Sequence, residues 1–122
     1  MADFNTGLSL DIPIFVKTYE LYKAFYKYLP NFPKKDRYTL GQRCEATLLD
    51  LLESIILAGN LSRHDKHSTL KQASIKVDLL KVLFRLLKDL RIIDVKKYLI
   101  LEESLQEIGR MLGGWIKTTD QA

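Results

Sequence analysis

The sequence has little of what specialised scaffolds require. Its single cysteine, Cys44, cannot form an intramolecular bridge in a chain of 122 residues. A disulfide framework is therefore excluded and a reducing compartment is favoured. Six glycines and three prolines exclude collagen-like, low-complexity and extensively disordered chains. No apolar run approaches the roughly 18–20 residues of a membrane span. Met1 to Leu10 lacks the basic-then-apolar order of a signal peptide and carries Asp3. The expectation is a small cytoplasmic protein with one domain over residues 1–122 and no membrane contact.

What is present is ordinary in amount and distinctive in arrangement. Hydrophobic residues make up 47% and charged residues 28%, within the globular range. Lys and Arg number 19 against 15 Asp and Glu, a net charge of +4. That sign favours polyanionic partners, weakly for one chain and more strongly if copies assemble.

Apolar residues recur with helical spacing nearly throughout. Ile12, Phe15, Tyr19, Tyr22, Tyr26 and Leu29 fall on one helix face, and Pro30-Asn31-Phe32-Pro33 stops the run. A second helix carries Leu40, Cys44, Leu48, Leu51, Ile55 and Ala58, with Gly59-Asn60 as its cap. A third carries Leu70, Ala73, Val77, Leu80, Phe84 and Leu87. The fourth has Asp94 as N-cap, followed by Tyr98, Leu101, Leu105, Ile108, Leu112 and Trp115. The spacing predicts helices over roughly 12–29, 36–59, 66–90 and 94–117. Short connections favour an all-α, up-down-up-down antiparallel four-helix bundle. Met1 to Leu10 and Thr118 to Ala122 are expected to be loose.

Helix three is too apolar for one core. On a wheel of about 100° per residue its apolar arc spans roughly 220°, where one core needs about 100° or somewhat more. Ile75, Leu79, Val82, Leu83, Leu86 and Leu90 fill the part a bundle does not need. They form a candidate interface between copies of the chain. The alternative is that helix three is simply the most buried of the four. Its polar strip holds Lys71, Lys81, Arg85 and Lys88, and Arg91, Lys96 and Lys97 extend the basic character into helix four. A second basic cluster comprises Lys34, Lys35 and Arg37, with Arg43 further on. Each cluster is a candidate phosphate-binding surface, against the alternative of a solvated face.

Candidates for catalysis are few. His64 and His67 have metal-chelating spacing but no third ligand nearby. Cys44 lies on an apolar seam, as a core residue does. Glu102, Glu103 and Glu107 supply the polar face of helix four, and no Glu-x-x-His pair or phosphate-binding glycine loop occurs. Neither catalytic residue nor metal or other cofactor is expected. Tyr19, Tyr22 and Tyr26 have the spacing of core residues more than of a base-stacking row. Gly109, Gly113 and Gly114 stand inside a helical run at roughly 0.8–1.0 kcal/mol each relative to alanine. Gly109 and Gly113 suit close approach of a neighbouring backbone, unless the helix breaks at Gly113-Gly114 and Trp115 folds back.

Thr39-Leu40-Gly41-Gln42-Arg43 after a Pro-Lys-Lys-Asp-Arg-Tyr loop, with Gly109-Arg110-Met111-Leu112-Gly113-Gly114-Trp115-Ile116-Lys117 near the end, resembles the accessory variability determinant (Avd) family. The likeness runs from about Ile12 to Lys117. Its signature positions correspond to Leu40, Gly41, Arg43, Gly109, Arg110, Gly113, Gly114 and Trp115. The Tyr-Thr-Leu-Gly segment is shared with a broader kin, the four-helix bundles of ribosomal RNA intervening sequences. The resemblance implies a bacterial or phage-encoded accessory protein of a diversity-generating retroelement. It implies a basic homopentamer of four-helix protomers that binds a reverse transcriptase, RNA and DNA, and supports mutagenic cDNA synthesis without a catalytic centre of its own. The alternative is a bundle of the intervening-sequence type with no polymerase partner.

Overall fold

The computed structural model describes residues 12–120, and every regular element among them is helical. The expectation for Met1 to Leu10 lies outside the described residues. Helix α1 is Pro13–Tyr28, opened by a proline whose missing N–H costs nothing in a first turn. A 3-10 turn, Leu29–Asn31, follows it. The next helical run, called α2, joins Lys34–Asp36, a π-helical stretch Arg37–Gly41 and Gln42–Gly59. Helix α3 is Arg63–Asp89 and α4 is Val95–Asp120.

The caps explain the boundaries. Ser62 Oγ accepts from the Asp65 N–H at 3.2 Å, so α3 starts three residues before its apolar stripe predicts. Asp94 Oδ1 accepts from the Lys97 N–H at 2.8 Å, as the sequence suggests. At the end of α2 the capping residue is Asn60, in a right-handed conformation, with its side-chain amide donating to the Ile56 carbonyl at 2.9 Å. Helix α4 continues through Gly113-Gly114 without a break and includes Thr118, Thr119 and Asp120. Thr118 and Thr119 are not loose: the Arg63 guanidinium donates twice to the Thr118 carbonyl, at 2.9 and 2.7 Å, and Thr119 is buried, while the expectation for Gln121 and Ala122 lies outside the described residues.

Each helix packs on its neighbours in sequence, and α4 also packs on α1. Helices α2, α3 and α4 bury the stripes that their spacing predicts, from Cys44 to Ala58, Leu70 to Leu87 and Leu101 to Leu112. Helix α1 differs. Its buried face is Ile14, Phe15, Thr18, Leu21 and Phe25, while Tyr19 and Tyr22 flank the core and Tyr26 is exposed. A tyrosine keeps its hydroxyl in reach of water or a partner, so a tyrosine row settles at a core margin. Tyr22 illustrates this, donating to Glu45 Oε2 across the α1–α2 seam at 2.8 Å. Phe25 instead has no exposed surface and contacts Phe32 edge-on and Phe84 in a stack, with ring centroids 5.9 and 5.8 Å away.

Gly41 is buried where α2 crosses the turn after α1. A Cβ there would stand 2.9 Å from Leu29 Cδ2 and 3.0 Å from the Asp36 carbonyl, five residues back in the widened helical turn. Gly113 and Gly114 face open space. Opposite outcomes are expected in urea unfolding. Gly41→Ala should lose about 1–3 kcal/mol through overpacking, and Gly113→Ala or Gly114→Ala should each gain about 0.8–1 kcal/mol through helix propensity.

Candidate nucleic-acid interface

Topology gathers what the sequence presents as two basic clusters. The end of α1, the start of α2, the end of α3 and the start of α4 meet at one end of the molecule. The Phe25 contacts with Phe32 and Phe84 fix three of these segments. Two lysines fix the fourth: Lys97 Nζ lies 5.3 Å from the Tyr28 ring centroid, and Lys88 Nζ lies 4.7 Å from that of Tyr98. Lys34, Lys35, Arg37, Lys88, Arg91, Lys96 and Lys97 therefore share this end.

Their charges are not equally available. Asp89 engages Arg85 at 3.7 Å and Lys88 at 3.5 Å. The Asp94 carboxylate caps α4. Lys34, Lys35, Arg37, Arg91 and Lys96 are exposed, and no salt bridge is formed by any of them among the described residues. Arg43 is also exposed, two turns into α2. Lys81 stands apart, half-buried in a shallow groove of about 440 Å³ with Asp78, Gln106 and Arg110. Lys71 precedes Lys88 by 17 positions, about 25 Å along the helix axis. The structure thus leaves Lys71 outside the cluster.

Arg91 carries a backbone signal that the sequence conceals. Its φ of 61° is the sole positive value at a non-glycine among the described residues. It ends α3 with paired bonds, Arg91 N–H to the Lys88 carbonyl at 2.9 Å and Ile92 N–H to the Leu87 carbonyl at 2.8 Å. This is the Schellman arrangement, where glycine is the usual occupant. Holding a side chain in that conformation costs roughly 1–2 kcal/mol, and it aims a cation outward between α3 and α4.

The apolar surplus of α3 is equally plain. Ile75 is 66% exposed and Val82 57%, and Leu86 and Leu90 are exposed with them; Leu79 is half-buried. The alternative that α3 is merely the most buried helix is overturned. Leu83 parts from the other five: at 6% exposure it belongs to this chain's own core. Gly109 meets only the Val77 side chain, at 3.8 Å from a hypothetical Cβ, so no backbone approaches the glycine strip within the described residues.

Other reactive groups are occupied structurally. Burial pushes the Cys44 thiol up to about 12 and keeps it protonated. Burial, with the Glu45 hydrogen bond and charge behind it, pushes the Tyr22 phenol up to about 12. Lys17, 2.8 Å away, holds the Glu107 carboxyl below its usual range. His67 Nδ1 lies 2.6 Å from Thr119 Oγ1 and 3.3 Å from Asp120 Oδ1. No three His, Cys, Asp or Glu side chains among the described residues are placed to hold a metal ion, and no described helix is long and apolar enough to cross a membrane. Of the signature positions, Arg110 is exposed, Leu40 is half-buried, and Trp115 is half-buried beneath Lys66 Nζ, 5.3 Å from its ring centroid.

These features define an all-α helical bundle whose distinguishing surfaces are a cationic end and an uncovered apolar strip. Residues 14–119 match the bAvd-like family, and the chain belongs to that family. No curated protein matches it.

Replacing Arg91 by glycine should relieve the strained cap. An increase in unfolding free energy of about 0.5–1 kcal/mol is expected in urea titrations, and a decrease would show that the arginine side chain itself holds the loop.

Proposed function

We propose that this chain is a non-catalytic accessory protein of a diversity-generating retroelement, binding the reverse transcriptase and template RNA or DNA to support mutagenic cDNA synthesis. The observation that carries this reading is the convergence of cations from three helix termini, in a member of the bAvd-like family. Phosphates are the natural counterpart of such a surface, because each neutralised phosphate releases condensed counterions.

The active form in this reading is a ring of five up-down-up-down antiparallel protomers, each a single domain, in the cytoplasm of a bacterial host. Ile75, Leu79, Val82, Leu86 and Leu90 lie between protomers. Assembly multiplies the field: five copies at +4 carry about +20. Lys34, Lys35, Arg37, Arg91 and Lys96 supply the primary phosphate contacts, with Arg43, Arg85, Lys88 and Lys97 around them and Lys71 and Lys81 further out.

Two measurements test the reading. Val82→Glu or Leu86→Glu should dissociate the assembly in sedimentation while helical circular dichroism stays unchanged, because these exposed positions cost a protomer little. An unchanged mass would move the interface elsewhere. In filter-binding titrations, wild-type affinity should fall steeply with salt, and Lys34→Ala and Lys96→Ala should each flatten the log–log slope by about 1. Lys71→Ala should have a smaller effect, and equal effects from all three would refute a localised end.

A further inference from the structure

We infer that Tyr38 is a base-stacking platform that makes the cationic end prefer single-stranded over duplex nucleic acid; this rests on the nucleic-acid reading proposed above. Tyr38 is 66% exposed, more than any other aromatic side chain among the described residues, and no ring contact, hydrogen bond or cation–π partner occupies it there. The other tyrosines of this end are engaged: Tyr28 and Tyr98 lie under lysine ammonium groups. Tyr38 sits in the π-helical stretch Arg37–Gly41, a helix variant concentrated at functional positions.

The neighbours of Tyr38 supply the second half of the site. Lys34 and Lys35 precede it by four and three residues, the spacing that shares a helix face, and Arg37 adjoins it. All three are exposed and free of salt bridges among the described residues. An aromatic face flanked by unpaired cations matches a strand whose bases are unstacked and whose phosphates follow at one side. Every base has a π-face, so such a platform is tolerant of sequence. A duplex keeps its bases stacked inside and offers the ring nothing. Ionic contacts serve both forms, and the tyrosine serves only one.

The test uses the full chain and two fluorescent probes, an oligothymidylate of about 20 nucleotides and a DNA duplex of equal length, at fixed low salt. Tyr38→Ala should weaken oligothymidylate binding at least about five-fold and leave duplex affinity within about two-fold. Tyr38→Phe should retain the wild-type preference, since the ring rather than the hydroxyl stacks. The assembly mass of both variants should equal that of the wild type. Unaltered oligothymidylate binding by Tyr38→Ala, equal weakening of both probes, or a changed mass would each overturn the stacking role and leave the phosphate-binding reading standing. Absence of wild-type binding to either probe would overturn that reading and this inference together.

Discussion

The packing of Phe25 between Phe32 and Phe84 is the interaction on which the rest depends. Phe25 ends the buried row of α1, Phe32 belongs to the proline-bounded turn, and Phe84 sits in the last two turns of α3. Three buried rings of this size withdraw a large apolar area from water, and their edge-on and stacked geometries are favourable in themselves. With these segments pinned, the connections before α2 and before α4 have no choice but to lie side by side. The positive end follows from the hydrophobic core, with Lys88 and Lys97 adding the contacts to Tyr98 and Tyr28 that hold the start of α4 there.

How much of this is legible in the sequence depends on the residue type doing the packing. In α3 and α4 the stripe is built almost wholly of aliphatic side chains, and a plain 3-4 spacing locates every core position from Leu70 to Leu87 except Leu83, and every one from Leu101 to Leu112. In α1 two rows compete, and the tyrosines form the more regular one. Polarity decides: Thr18 can be buried because its hydroxyl donates to the Ile14 carbonyl at 2.8 Å, whereas a tyrosine hydroxyl projects too far for such a local bond. The cationic end is legible only in pieces. Spacing along the chain separates Lys35 from Lys96 by 61 positions, and nothing short of the helix order reunites them. Arg91 and Tyr38 are harder still, since neither a left-handed cap nor a π-turn leaves a compositional mark here.

Several features run against the stability of a solitary chain. Arg91 occupies a glycine's conformation, two glycines stand in open space inside α4, and branched aliphatic side chains face water along α3. Local conflicts of this kind collect where a protein meets something else. Strain and charge mark the end of the bundle, and the apolar strip runs along its flank to reach that end at Leu90, beside Arg91.

The widened turn at Arg37–Gly41 has a consequence for how the molecule is oriented around its own axis. A π-turn holds one residue more than the α-helical path needs, and that surplus acts as a phase shift. Everything before it is rotated by about 100° relative to a uniform helix continuing from Cys44. The supernumerary residue thus reconciles the opening lysines, held beside the pinned Phe32, with the hydrophobic register of α2 beyond them. Loss of one residue there would set the packing of Phe32 on Phe25 against the buried seam of α2, and the two could no longer be kept together.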